Sequence, residues 1–361
     1  MRRDSNADPV RSAPVPISVV VPTYNEADNI KPLVEAIAKA FAGTPYELVI
    51  VDDGSPDGTA EVAAELSKEY PVKVVVRPRR LGLSSAVVDG ARAAAGDVVV
   101  VMDADFQHPP ELAPALAQAV LSGADLAVGT RYGRGGRIEG WSPVRLLMSR
   151  GAAALARLLL PEARRLSDPE SGFFAARREC LASVRPTGLY KILLDVAVQC
   201  SPSKIAEVPY VFRPRRAGRS KLGAAHVVDY LAQLMRLTGW RPFKFAAVGA
   251  SGIGVAEAVL YALRDVAYPA AAPAAIEVSL TSNYALNKIW TFRDRETPWL
   301  KGWLKYHLAN FAGIAANYAL SNALVLAGTS RYLAYLLGVL AGFAANYLLS
   351  ELYVFRRRLG G

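Results

Sequence analysis

The sequence of 361 residues is poor in cysteine and histidine. Cys180 and Cys200 stand outside any CxxC or Cys/His spacing, so neither a disulfide framework nor a zinc centre is expected, and the plain expectation is a reduced, cytoplasm-facing location. Three histidines, His108, His226 and His307, form no His–carboxylate constellation of the kind that activates a nucleophile. The first 15 residues, with Arg2, Arg3, Asp4, Pro9, Arg11 and Pro14, lack an apolar core, and a loose tail rather than a cleaved leader is expected there. Helix-turn-helix, RNP and basic-helix signatures are missing as well, which argues against a nucleic-acid partner.

What is present is an unusual pairing of charge and hydrophobicity. The formal charge is +10 and the mean hydropathy is still positive, at +0.19. Counting by region resolves this: residues 243 to 355 hold 14 charged side chains in 113 positions, whereas residues 1 to 242 hold 57. Two solvents are implied, one for each part of the chain.

Four apolar stretches, near 244–264, 272–292, 306–329 and 331–355, each approach the roughly 20 residues that span a hydrocarbon core. They predict an all-α membrane domain of four helices over 243–358. Arg236, Arg241, Lys244, Lys288, Arg293, Arg295, Lys301, Lys305 and Arg356 to Arg358 fall on one side, against Arg264 and Arg331 on the other. By the positive-inside rule the amino-terminal domain and both termini are then cytoplasmic. A weak internal repeat relates Asn283–Tyr284 through Phe292–Arg293 to Asn346–Tyr347 through Phe355–Arg356, as two duplicated hairpins would. Glu257 is the deepest acid of these stretches and Glu277 is expected near the outer interface. A glycine pattern at Gly249, Gly252 and Gly254 lies inside a span and has no preceding buried strand, so it is no dinucleotide site.

In the amino-terminal part, apolar runs of strand length at 17–22, 47–51, 72–76, 98–102 and 125–129 alternate with helix-like segments near 27–42, 58–69, 83–95 and 110–122. This pattern predicts an α/β domain over 16–240, a mainly parallel sheet with helices on both faces. Ligands of such sheets bind beyond the carboxyl ends of the strands, and polar clusters fall there. Pro22–Glu26 follows the first run, Asp52–Ser55 the second, Asp103–His108 the fourth and Gly129–Tyr132 the fifth. Clustered acids call for a cation, and hard oxygen donors without cysteine or histidine suit Mg²⁺ or Mn²⁺. His108 reads as a structural neighbour of these ligands. Arg131, Arg145, Arg215 and Lys221 stand apart from acidic neighbours in sequence, as expected of side chains that grip phosphate. Segments 141–160 and 222–240 carry apolar faces interspersed with Arg145, Arg150, Arg157 and Arg236, which predicts helices lying in the membrane interface.

Taken in order, Val21-Pro-Thr-Tyr-Asn-Glu26, Val51-Asp-Asp-Gly-Ser55, Asp103-Ala-Asp-Phe-Gln-His-Pro109, Gly129-Thr-Arg-Tyr132, Asp168-Pro-Glu-Ser-Gly-Phe-Phe174 and Arg215-Arg-Ala-Gly-Arg-Ser-Lys-Leu222 resemble the dolichol-phosphate mannose synthases. These are inverting family 2 glycosyltransferases of the Rossmann-like GT-A fold. The carboxyl third resembles the four-span GtrA-like domain fused to some members. The resemblance implies that Pro22, Tyr24, Glu26, Val51 and Asp53 hold the nucleoside, with Asp103, Ala104 and Asp105 at its ribose and diphosphate. It makes Asp105 and Gln107 the metal ligands with Asp103 in support, and assigns the lipid phosphate to Arg131, Arg145 and Ser149. Arg215 and Lys221 are similar to mobile-loop groups that close over the sugar diphosphate, Arg131 also serving the donor. A lysine usual in the family before the Gly-Leu pair is replaced by Arg79-Arg80, which keeps the charge.

The reaction so implied moves mannose from GDP-mannose to dolichyl or another polyprenyl phosphate. The acceptor phosphate is already an anion near neutrality, so no general base is needed. UDP-glucose is the alternative donor, because these motifs do not encode a base pocket. Lipid-linked-sugar flipping by the membrane domain is the alternative of a different class.

Overall fold

The computed structural model describes residues 16–214 and 223–356, and the chain forms two compact units divided between Leu237 and Thr238. In the first unit strands and helices alternate as β1 (Ile17–Thr23), α1 (Ala27–Ala40), β2 (Tyr46–Asp52), α2 (Thr59–Leu66), β3 (Val72–Val76), α3 (Leu83–Ala93), β4 (Val98–Val101), α4 (Ala113–Leu121) and β5 (Leu126–Thr130). There follow β6 (Arg137–Ile138), α5 (Pro143–Leu159), β7 (Phe174–Arg177), α6 (Arg178–Ser183), α7 (Ile192–Cys200), β8 (Ile205–Pro209), β9 (Val211–Phe212) and α8 (Ala224–Leu237).

Among the described residues the main sheet runs β3-β2-β1-β4-β7-β5-β8. Its pairings are parallel except at β7, which lies antiparallel between β4 and β5. Both faces of the sheet are covered. Val19, Val21, Leu48 and Ile50 pack with Ile30, Leu33 and Leu116 on one side, while Val20, Val49, Val51 and Val99 pack with Val87, Val88 and Leu193 on the other. Strands buried on both faces read as unbroken apolar runs rather than as alternation, which is why the runs are so plain in the sequence. The mainly parallel α/β expectation holds. β7, which carries no such long run, is an addition the apolar pattern did not reveal.

The cysteine expectation is overturned. Cys180 at α6 and Cys200 at the end of α7 form a disulfide across 20 residues of sequence. Packing of α6 and α7 beside β7 brings the two together, and no local spacing signals it.

The second unit consists of α9 (Arg241–Ala262), α10 (Tyr268–Leu286), α11 (Trp299–Leu326) and α12 (Arg331–Leu349). A π-helical turn extends α10 at Asn287–Thr291 and another extends α12 at Ser350–Val354. Arg241–Ala262 and Arg331–Val354 are long and apolar enough to cross a bilayer. The repeat is visible in the packing: a Cβ added at Gly252 of α9 would overlap Asn283 of α10, and one at Gly313 of α11 would overlap Asn346 of α12. Small residues thus let each helix pair approach closely around one asparagine. Where the chain leaves the two π turns, Phe292 and Phe355 stack at 4.5 Å. Arg241 and Arg295 share Glu351, at 3.4 and 2.6 Å.

Candidate active site

The polar clusters meet at one edge of the main sheet because β1, β2, β4 and β5 all end there. At the end of β1, Thr23 Oγ1 donates to Asp52 Oδ1 at 3.0 Å, and the Asn25 N–H reaches Ser55 Oγ at 2.9 Å. Asp52 also accepts the Ser55 N–H at 2.8 Å, so this acid is spent on shaping the loop. Glu26 takes the Asn29 amide at 2.7 Å, and its own N–H donates to Thr59 Oγ1 at 3.0 Å. The Arg80 guanidinium lies 4.6 Å above the Tyr24 ring, a cation–π contact.

Asp53 is buried and forms an ion pair with buried Arg77. Its Oδ2 accepts the Leu81 and Gly82 N–H groups at 3.2 and 3.0 Å. Arg77 in turn donates to Ser85 Oγ at 2.7 Å and to Gly82 O at 2.9 Å. Gly82 has φ +100°, a conformation a side chain would strain, and the loop closes there onto Asp53. Pro22 is half-buried. The Val51 side chain is fully buried in the core on the α3 side, so only its main chain, at the end of β2, is left for the nucleoside role the resemblance implies.

At the end of β4, Asp105 Oδ1 accepts the Gln107 N–H at 3.0 Å and so holds a tight turn over Phe106, whose φ is +62°. Such a backbone in a bulky residue is uncommon and clusters at functional sites. Asp105, Gln107 and Ala104 are buried, while the Asp103 side chain is about a third exposed. The Asp103 N–H donates to His108 Nδ1 at 3.0 Å, and the ring stacks on Phe173 at 5.2 Å. Burial pushes His108 down to about 4, against the pull of the nearby Asp105 charge. The ring is therefore a neutral acceptor and a brace, as its place in the sequence suggested. Gly172 completes the wall, since a Cβ there would lie 3.2 Å from His108 Cε1 and 3.5 Å from Asp103 Oδ2.

The cluster fits a hard divalent cation. Gln107 commits its Nε2 to Arg213 O at 3.2 Å, which leaves Oε1 as the atom that could join the Asp103 and Asp105 carboxylates in holding a cation. No group of three His, Cys, Asp or Glu side chains suited to a metal occurs among the described residues. A cation here would thus depend on the amide oxygen and on substrate oxygens, as Mg²⁺ and Mn²⁺ commonly do.

Across the same edge, the structure brings Arg131, Arg145 and Ser149 together around Trp141 and Tyr132. The Arg145 guanidinium sits 4.2 Å from the Trp141 ring. Ser149 Oγ accepts from Tyr132 Oη at 2.9 Å. Arg131 stands close to Tyr132, Trp141 and Phe212. Its expected isolation from acids is corrected, because Arg131 pairs with buried Asp168 at 2.6 Å. Burial opposes the Arg131 charge, but the Asp168 hydrogen bonds and negative charge outweigh it and raise the pKa, so the arginine stays cationic. Sequence separation hid this partner, although Asp168 lies in a quoted motif. Arg77 had no signal at all. Arg215 and Lys221 lie outside the described residues.

α5 and α8 flank this end of the unit, and Tyr230 Oη of α8 donates to Ala152 O of α5 at 2.7 Å. Val144, Leu147 and Met148 on α5 and Val227, Val228 and Leu231 on α8 are exposed, the residues expected at a membrane interface.

Fold and site define a glycosyltransferase with a nucleotide-sugar GT-A domain. Residues 18–185 match glycosyl transferase family 2, and residues 244–355 match the GtrA/DPMS transmembrane domain, which makes this a membrane protein. The chain is 43% identical to the dolichol-phosphate mannosyltransferase of Pyrococcus furiosus, over 88% of this chain and 93% of that one. It is 38% identical to the dolichol-phosphate mannosyltransferase of Saccharomyces cerevisiae, over 64% of this chain and 88% of that one. A solved glucosyl-3-phosphoglycerate synthase from Mycobacterium tuberculosis, in complex with Mn²⁺, UDP and phosphoglyceric acid, is similar with a TM-score of 0.50 and 25% identity. That match covers 62% of this chain and 78% of the other. The chain belongs to the dolichol-phosphate mannosyltransferase family.

Proposed function

We propose that this chain transfers mannose from GDP-mannose to the phosphate of dolichyl or a similar polyprenyl phosphate, with inversion, giving the lipid phosphomannose and GDP. The observation that carries the reading is the presence of two unlike clusters on one sheet edge: the Asp103 and Asp105 carboxylates with the Gln107 amide oxygen at the end of β4, and Arg131, Arg145 and Ser149 beyond β5. The first suits a nucleoside diphosphate with its cation, and the second suits a second phosphate.

In this reading Tyr24, Glu26 and Asp53 bound the nucleoside pocket, with Arg77 fixing Asp53 and Arg80 stacked on Tyr24. Asp105 and Gln107, supported by Asp103, would hold a divalent cation, Mg²⁺ or Mn²⁺, which when bound neutralises charge on the leaving diphosphate. Arg215 and Lys221 would add positive charge on that side. Arg131 and Arg145 orient the acceptor oxygen against the anomeric carbon. Bringing two mutually repelling anions into line is the main task of such a site, and no proton needs to be taken from the acceptor.

The exposed apolar residues of α5 and α8 would rest in the membrane interface, where a polyprenyl phosphate presents its headgroup. We place the catalytic unit and both termini in the cytoplasm, and read all four helices of the second unit as spans over 243–358. The test of the donor offers labelled GDP-mannose and UDP-glucose in parallel to the purified protein with dolichyl phosphate. Label from GDP-mannose is expected in the lipid phase, and label from UDP-glucose alone would overturn the assignment.

A further inference from the structure

Asp168 has no part in the reading above, yet its carboxylate is fully buried and three N–H groups of one residue converge on it. Arg131 donates its backbone N–H to Oδ2 at 3.2 Å, its Nε to Oδ2 at 2.6 Å and its Nη2 to Oδ1 at 2.8 Å. A single acid thus ties down both the main chain and the side chain of residue 131. A guanidinium has five N–H donors in a rigid fork, and Asp168 takes one edge of it. Among the described residues, Nη1 and the second N–H of Nη2 have no hydrogen-bond partner, which leaves them for a ligand.

The carboxylate is held by a framework of its own. Ser171 Oγ donates to Gly129 O at 2.6 Å, the Gly129 N–H reaches Phe173 O at 2.8 Å, and the Thr130 and Ser167 hydroxyls meet at 2.6 Å. These bonds fasten residues 167–173 to the end of β5 on both sides of Asp168 and involve no atom of Arg131. The acid is therefore the fixed member of the pair and the arginine is the member it fixes.

We propose that Asp168 is a positioning residue of the acceptor site: by holding the Nε and Nη2 edge of Arg131, it turns the Nη1 edge toward the phosphate of the polyprenyl acceptor. This rests on the reading that Arg131 receives that phosphate. Charge alone points the opposite way. The pair is neutral in sum, so removing the carboxylate would release a positive charge and strengthen the hold on an anionic acceptor. Positioning demands instead that transfer slows while the charge becomes more favourable, because a small misplacement of an orienting group costs up to about 100-fold in rate.

The experiment is a double-mutant cycle with Asp168→Asn and Arg131→Lys in the full-length membrane protein. It reads kcat, KM for polyprenyl phosphate, KM for GDP-mannose, and GDP affinity as the check that the site is folded. Asp168→Asn is expected to lower kcat roughly 10- to 100-fold and to leave GDP affinity within about twofold. In the Arg131→Lys background the same change is expected to cost less than about twofold more, since residues acting as one unit are not additive. Losses that multiply in the double variant would overturn the proposal, as would faster transfer by Asp168→Asn. Unchanged acceptor kinetics in Arg131→Lys alone would instead overturn the lipid-phosphate reading of Arg131 and take the proposal with it. Should Asp168→Asn fail to fold, Asp168→Glu, which keeps the charge but shifts the carboxylate by one methylene, enters the same cycle with the same expected coupling.

Discussion

Asp53 and Arg77 form a buried ion pair that locks the loop at Leu81 and Gly82 to the end of β2 through two further hydrogen bonds. Breaking a buried pair by removing one partner leaves an uncompensated charge and costs about 3–5 kcal/mol. Arg77→Ala is therefore expected to lower the melting temperature of the protein markedly and to weaken GDP binding, read by calorimetry. Arg77→Met paired with Asp53→Asn, whose Oδ1 can still accept the Leu81 and Gly82 N–H groups, should recover part of the stability and none of the GDP affinity.

Asp105 closes the turn over Phe106 and belongs to the candidate cation cluster. Asp105→Ala is expected to abolish mannosyl transfer and to remove the Mn²⁺ dependence of GDP binding, followed by titration with and without chelator. Transfer by the unaltered protein that persists in excess chelator would defeat the metal assignment.

Asp57 bridges the starts of α1 and α2: Oδ2 accepts the Ala27 N–H at 3.1 Å, and Oδ1 accepts the Thr59 N–H at 3.1 Å and hydroxyl at 2.5 Å. Slight burial pushes its carboxyl up, but these hydrogen bonds outweigh it and hold the group below its ordinary value. A depressed native pKa adds stability above the unfolded value of about 3.9, which is lost as pH falls through the native one. Asp57→Ala is expected to lower the melting temperature at pH 7, by an amount matching a lost cap of about 1 kcal/mol. The difference from the unaltered protein should shrink steadily below about pH 4.

The Cys180–Cys200 bond closes a loop across 20 residues, and chain entropy assigns such a loop about 3 kcal/mol. Cys180→Ser with Cys200→Ser should lower the unfolding midpoint accordingly while leaving KM for GDP-mannose unchanged. The catalytic unit is proposed to face the cytoplasm, where such bonds are uncommon outside hyperthermophiles. Thiol labelling in intact cells before lysis therefore reads whether the bond exists in place: two labelled cysteines would mean that both thiols stay reduced in the cell.

Much of the molecule is legible without coordinates. Five apolar runs became β1 to β5 within a residue or two, and the polar clusters at their ends share one edge because parallel strands all point the same way. The charge-poor region beyond Pro242 marked the membrane domain by length and hydropathy alone. These are local properties: periodicity, run length and the residue types that follow a strand are read over a few neighbours. The tertiary structure alone decided who partners whom. It inserted β7 antiparallel between β4 and β5, joined two cysteines that carry no motif, buried the side chain of Val51, and gave Arg131 a carboxylate 37 residues away. Pairing of that kind depends on which loops packing brings into contact and on the need of every buried charge for a counter-charge, and neither is written in any short stretch of sequence.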